Sequence, residues 1–439
     1  MAGELYDQSQ AQARVDFFPA YDWEISPSHP ERKERLLYTQ DQVLEEGILD
    51  IDGIQEFKAG LAKEDDIRRV HFCIPDIASH CTPSHMISAG GCIEAARIVL
   101  ERHVEKAFAL VRPPGHHAMR VVHGTRGFCN INIEAVMVEW IRKHYPQIRK
   151  IAIVDTDCHH GDGTQDIYWH DPRVLYISLH QNGRTLYPGT GFLDEFGRVK
   201  ARGMTINVPL PPRTGDDGFL FVMEHLVKPI LVEFEPDLVI NSAGQDNHYS
   251  DPITQMAFTA GGYARLTEML SPDICVLEGG YSIESALPYV NTGIILALSG
   301  VDYSFVQEPD LNPEKIRDDP QALPYIKEIC TSIQKNWHTR KRAIKPIQPY
   351  IERRKSIFYD TDNIAETQTE VLRVCDCPGV FRIDTRASNG YHALCIHIPR
   401  GACSRCRVQG MEWFTRGGNY YAVYLQDLDS DIYRVKKVS

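Results

Sequence analysis

No apolar run in this 439-residue chain approaches the ~18–20 residues that a membrane-crossing helix needs, so a spanning helix and a membrane partner are not expected. The start, MAGELYDQSQAQARVDFF, lacks a basic cap followed by an apolar stretch, and no secretory signal is expected. Twelve cysteines are too sparse for a disulfide scaffold and point to a reducing compartment: cytoplasmic, or nuclear in a eukaryotic source. Positive charge is also short. A formal net charge of −12 argues against direct nucleic-acid binding and towards cationic or neutral partners. Internal repeats and low-complexity tracts are missing as well.

What is present is ordinary for a folded protein with ample core, 43% hydrophobic and 24% charged, at a length that suits two or three domains. The charge is uneven: residues 350–439 carry net +2, and residues 1–349 net −14. A solvated acidic surface accounts for most of that difference; attraction of cationic substrates is the functional alternative.

Between residues 105 and 300 a short β-branched apolar run repeatedly ends in a polar or glycine-rich cluster, and a helical stretch usually follows. The runs are 108–111, 151–154, 174–179, 204–208, 238–240 and 274–277. Short, non-alternating runs read as strands buried on both faces of a parallel sheet, which makes the body an α/β doubly wound unit. Segments 219–234 and 262–270 suit intervening helices, and 323–340 a last one. That helix ends in the basic TRKRAIKP, either a solvated helix end or a nuclear address. Pro346 and Pro349 mark a linker, and short strand-like runs separated by Gly, Asn and Ser fill 371–438. The expected division is a body at 1–345, a linker at 346–370 and a small β-rich domain at 371–439.

Sites in open α/β sheets form beyond the carboxyl ends of the strands. Five of the six runs end in reactive groups: His116 and His117 in RPPGHHA; Asp155, Asp157, His159, His160 and Asp162 in DTDCHHGDGT; Ser178 and His180; Asp246 in SAGQD; Tyr281 in EGGY. Asp157 and His159 stand two apart in extended chain and leave the same face, and Asp246 can join them. Two carboxylates and one imidazole suit zinc with positions left open, although other divalent ions fit too. Taken alone, Asp157 and His159 could equally form a capped turn, and Tyr281 could merely pack.

In order and spacing, RPPGHHA, GFCNIN, DTDCHHGDGT, YISLH, YPGTG, NVPL, SAGQD…SDP and LEGGYS resemble the zinc-dependent histone deacetylase family, whose superfamily includes acetylpolyamine amidohydrolases and shares the arginase-like architecture. The likeness runs from about residue 28 to 340. It implies that Asp157, His159 and Asp246 hold one Zn2+ and that His117 is the general base, assisted by His116. Asp162 and Asp155 would stand behind His117 and His116, and Tyr281 would donate to the oxyanion. Gly127 and Phe128 would form one wall of an acyl-lysine tunnel and Tyr187 the other, a place more often phenylalanine. Ser178 and Asp155, with backbone carbonyls near Asp157, His159 and Leu179, would hold a structural K+. Arg35 matches a basic residue beneath the site, and Asp76 and His80 are candidates for an acidic rim.

The expected activity is deacetylation of acetyl-lysine in proteins or of an acetylated small amine such as a polyamine, by a chain that could form a homo-oligomer. An arginase-like ureohydrolase with paired manganese would need a second acid pair where Asn247 and His248 stand. A non-catalytic acyl-lysine-binding module would be expected to lack a ligand or the tyrosine. The tail adds Cys375-x-Cys377, Cys395 and Cys403-x-x-Cys406, which could clamp a structural metal or simply be buried thiols.

Overall fold

The computed structural model describes residues 13–17, 23–26, 28–309, 311–341 and 348–437. The first twelve residues, Pro346 and most of the basic cluster at 339–346 lie outside the described residues. None of the helices described is long and apolar enough to cross a membrane.

The strands of the body are β1 (Ala13–Phe17), β2 (Ile54–Phe57), β3 (Phe72–Cys73), β4 (Lys106–Leu110), β5 (Val121–Val122), β6 (Ile151–Asp155), β7 (Val174–Gln181), β8 (Thr205–Leu210), β9 (Leu238–Ala243) and β10 (Ile274–Leu277). Eight of them form one sheet in the order β2-β1-β4-β10-β9-β6-β7-β8. Every pairing in it is parallel, so all strand carboxyl ends open on one edge. Both faces are apolar. Phe108, Leu110, Ala152 and Val154 enter one core, while Ala107, Ala109, Ile151 and Ile153 enter the other. A strand buried on both faces has no polar side to present, which is why these segments read as continuous runs. Each fully buried Val, Ile or Leu contributes roughly 1.5–3 kcal/mol.

Helices cover both faces. Helix Ile133–His144 starts where the Asn132 side chain accepts the Ala135 amide at 2.8 Å, and its last turn carries Arg142, Lys143 and His144, cations that suit the negative end of the helix dipole. The last body helix spans Ala322–Thr339.

The tail holds β11 (Tyr350–Tyr359), β12 (Ile364–Arg373), β13 (Val380–Ala387), β14 (His392–Ile398), β15 (Ala422–Asp427) and β16 (Ile432–Lys437), paired in sequence order. The linker expected at 346–370 is therefore corrected: it contains β11 and the first seven residues of β12, strands that form a ten-residue-by-ten-residue antiparallel hairpin. Its outer strand alternates exposed and half-buried residues over a charged stretch, so no apolar run announces it. Helix Ser404–Arg416 was also not expected; it carries the crossover demanded by the one parallel pair, β14 with β15.

The tail sheet is covered on both sides. Leu394, Ile396 and Ile398 face helix Ser404–Arg416. Ala393 and Cys395, with Phe381, Ile383 and Tyr424, pack on Phe72, Ile74 and Val121 of the body. Polar contacts stitch the two together: Arg69 Nε to Asp431 at 2.7 Å, His170 Nε2 to Glu370 at 2.7 Å, and a Lys355–Asp166 ion pair.

Candidate active site

The parallel sheet delivers its groups to one edge. β6 ends in Asp155, and the segment after it carries Asp157, His159 and Asp162; Asp246 follows β9 and Tyr281 follows β10. His116 and His117 come from the loop after β4. All eight are buried.

One ligand atom from each of Asp157, His159 and Asp246 lies within 4.8 Å of the others. Both carboxylates turn towards His159 Nδ1, Asp246 Oδ2 at 2.7 Å and Asp157 Oδ1 at 3.2 Å. Backbone amides aim them: Cys158 donates to Asp246 Oδ1 at 2.7 Å, His159 to Asp157 Oδ1 at 2.8 Å and Gly279 to Asp157 Oδ2 at 2.7 Å. Only glycine fits at 279, since a Cβ would stand 2.6 Å from both Asp157 Oδ2 and Asp246 Oδ2. A proton on His159 balances one buried carboxylate; a divalent cation among the three donors balances both. The donor set, two hard oxygens and one imidazole nitrogen, thus fits a divalent ion such as zinc with further positions open.

Beside this triad lies the histidine pair, ring centroids 4.1 Å apart. Asp155 Oδ2 holds His116 Nδ1 at 3.2 Å, and Asp162 Oδ1 holds His117 Nδ1 at 2.9 Å. Each ring is thereby oriented, with Nε2 as the exchangeable nitrogen. The electrostatics separate them. Burial disfavours a charged His116, but Asp157 and Asp155 hold its imidazole well above the usual value. Burial, reinforced by the neighbouring His116, pushes His117 down to about 3. The two imidazoles are thus driven in opposite directions, His116 towards its charged form and His117 towards its neutral one.

Tyr281 stands two residues beyond Gly279, whose amide binds Asp157. The Tyr281 amide donates to Asp251 Oδ2 at 2.8 Å, and Phe128 meets the Tyr281 ring edge-on at 5.5 Å. Arg35, fully buried, places its guanidinium 5.0 Å from the ring and donates to the carbonyls of Gly280 at 2.8 Å and Glu278 at 2.5 Å. Burial raises the phenol well above its usual value, so it stays protonated and able to donate.

Tyr187 stands edge-on to His117 at 5.2 Å and to His159 at 6.4 Å, and Phe128, edge-on to Tyr281, packs against His29 at 4.4 Å. Gly127 lies between them at φ +50°, where a Cβ would reach 2.4 Å from His117 Cδ2 and 3.0 Å from Tyr187 Cε1. Asp155 and Ser178 are register partners across β6 and β7, with Asp155 Oδ2 also accepting the Tyr176 hydroxyl at 2.7 Å.

Several contributors carry no sequence signal of their own. Arg126 donates to Asp162 Oδ2 at 2.5 Å; burial alone would raise that carboxyl, yet Arg126 and His117 keep it well below the carboxylate range. The same guanidinium reaches the Phe358 carbonyl of the tail hairpin at 2.6 Å. The hairpin tip then touches the wall: Asp360 Oδ1 accepts the Gly127 amide at 3.0 Å and the Tyr187 hydroxyl at 3.1 Å. Asp76 instead accepts from Ser79 within its own turn, and His80 pairs with the Ile74 carbonyl. Asp360 was hidden because it stands 233 residues from Gly127 and 173 from Tyr187, in a segment read as linker. Asn247 donates to the Thr156 carbonyl at 2.7 Å and His248 meets Glu308 at 3.0 Å, so the place of a second acid pair is otherwise engaged.

Residues 75–296 match the model of the histone deacetylase domain. A probable deacetylase of Archaeoglobus fulgidus is 45% identical over 317 residues, 65% of this chain and 86% of that protein. Histone deacetylase HDA1 of Saccharomyces cerevisiae is 37% identical over 59% of this chain, which spans only 37% of that longer protein. The crystal structure of the HDA15 HD domain superposes with a TM-score of 0.64 at 28% identity, covering 75% of this chain and 97% of that one. The tail from β11 onwards lies beyond the family match.

Proposed function

This chain belongs to the histone deacetylase family, and on that premise we propose that it hydrolyses the acetyl or acyl amide of a lysine side chain in proteins, or of an acetylated small amine such as a polyamine. One observation carries the proposal: the Asp157–His159–Asp246 triad, the carboxylate-backed His116–His117 pair and Tyr281 meet at one sheet edge.

Asp157, His159 and Asp246 would hold a zinc ion. Such an ion, when bound, supplies Lewis acidity towards the amide carbonyl and lowers the pKa of water. His117, neutral and held by Asp162, takes the proton from the attacking water and returns it to the departing amine. His116, held by Asp155 and lying against His117, would assist by stabilising the negative charge that develops. Tyr281 donates its hydroxyl to the tetrahedral oxyanion, and Arg35 beneath it fixes the ring. Phe128 and Tyr187 flank the acyl-bearing stem and exclude water from it. The exposed Asp360 carboxylate beside Tyr187 supports a cationic substrate. Asp155 and Ser178, register partners across β6 and β7, would be among the groups that hold a structural potassium ion.

The test is turnover of an acetyl-lysine peptide and of acetylated polyamines at equal concentration, with and without a chelator. Release of acetate that a chelator stops and zinc restores is the expected result, and the ratio between the two substrates assigns the class. Peptide binding without turnover across several acyl groups would make the chain a binding module instead. Two manganese ions per chain with turnover of a guanidino substrate would make it a ureohydrolase.

A further inference from the structure

The tail gathers four thiols that the deacetylation chemistry above does not use. Cys375 and Cys377 sit in the turn between β12 and β13; Cys403 is the N-cap of helix Ser404–Arg416, and Cys406 its third residue. One Sγ from each lies within 4.8 Å of every other. Across the gap, Cys375 meets Cys403 at 3.7 Å and Cys377 meets Cys406 at 3.5 Å. A disulfide would need about 2.05 Å, and all four are free thiols. Four sulfurs each about 2.3 Å from a central zinc stand about 3.8 Å apart on the edges of a regular tetrahedron. The spacing is that of a metal cage rather than of a bond.

We propose that Cys375, Cys377, Cys403 and Cys406 bind one zinc ion in a closed four-thiolate site, separate from the Asp157–His159–Asp246 triad. Two neighbours fit this role. Arg373 donates from Nη1 to Cys406 Sγ at 3.0 Å, placing a cation against a centre whose four thiolates and one Zn2+ sum to two negative charges. The Gly379 amide donates to Cys377 Sγ at 3.3 Å, a contact that suits a thiolate. The start of helix Ser404–Arg416 adds the positive end of its dipole to Cys403 and Cys406.

Because all four positions come from the protein, no place remains for water or substrate, and the site is structural. Binding releases the thiol protons and joins the β12–β13 turn to the start of the crossover helix. Without that link, the helix is held to the sheet by the apolar contacts of Leu394, Ile396, Ile398 and Trp413 and by the Arg407–Asp427 ion pair at 3.0 Å. The hairpin that touches the active site, β11–β12, ends one residue before this turn's Val374.

The experiment counts metal on the full chain and reads cobalt spectra after zinc is exchanged for Co2+. The expected result is two zinc ions per chain, one for each cluster. Asp246→Asn should lose one of them and retain an intense thiolate-to-cobalt charge-transfer band. Cys406→Ser, or Cys375→Ser with Cys377→Ser, should lose the other and the band with it. Should these serine variants fail to fold, the wild-type and Asp246→Asn cobalt spectra decide alone. Absence of the band from both would overturn the proposal. So would equal reactivity of the four thiols towards a thiol reagent with and without zinc, disulfides in protein purified under reducing conditions, or iron in the site.

Discussion

The body and the tail assemble their reactive groups by opposite routes. In the body, parallel strands carry acids, imidazoles and a phenol to one edge, and the groups differ in kind: two carboxylates, three histidines and a tyrosine around an open space. In the tail, a turn and a helix start bring together four identical thiols, a set that leaves no ligand position open. A mixed, incomplete donor set suits catalysis because substrate and water need places of their own, while a uniform and complete one suits holding chain segments together. The two clusters also differ in shielding. The triad is wholly buried, whereas three of the four cysteines are half-exposed.

The sharpest way to break that contrast is Asp246→Asn. It should reduce turnover to background while leaving the fold and the tail's thiol chemistry unchanged; retained turnover would remove Asp246 from the metal site. His117→Ala should lower kcat by roughly 10²–10⁴-fold, the range of a lost general base, with little change in metal content. Tyr281→Phe should cost roughly 10²–10³-fold, as for a lost oxyanion donor. Steady-state kinetics beside metal analysis checks both, and a wild-type kcat in either variant contradicts the assigned role.

A fourth prediction probes the seam between the two regions. Burial would raise the Glu370 carboxyl, but His170, with Lys355 and Arg353, holds it below its ordinary 4.5. A carboxyl depressed in the folded state contributes stability above its unfolded value and loses that contribution as pH falls towards the folded one. Wild-type thermal stability should therefore decline from about pH 5 to pH 3. Glu370→Gln should be less stable at neutral pH by about 1.5–3 kcal/mol, the worth of a charge-assisted hydrogen bond, and show a shallower acid slope. Parallel slopes for the two proteins would show that the pair does not titrate as described. The smallest effect is expected at Asp360→Ala. Losing the acceptor for Gly127 and Tyr187 should raise KM by about tenfold or less, leaving kcat nearly constant. A fall in kcat alone would mean that the hairpin tip acts on the chemistry rather than on the mouth.

Much of the body was legible in its sequence. The six apolar runs are strands β4 and β6–β10, and the groups at their ends converge as parallel topology requires. The tail was half legible. Its inner strands carry apolar runs, but β11, at the sheet edge and rich in charge, does not, and the crossover helix follows a cysteine pair that drew attention to metal instead. Arg126 and Asp360 were illegible for a different reason. Each is a lone charged residue in a loop, and its role exists only through a partner elsewhere in the chain.

The sequence by itself determined which segments carrying the body's motifs are strands and the kinds of group each strand end presents, because burial on two faces and close approach of backbone to carboxylates constrain residues locally. Tertiary structure alone decided that a hairpin from the far end of the chain seats Asp360 against Gly127 and Tyr187, and that two cysteine pairs 28 and 29 residues apart face one another. Contacts between distant segments depend on how sheets pack, and packing leaves no periodic trace in the residues it joins.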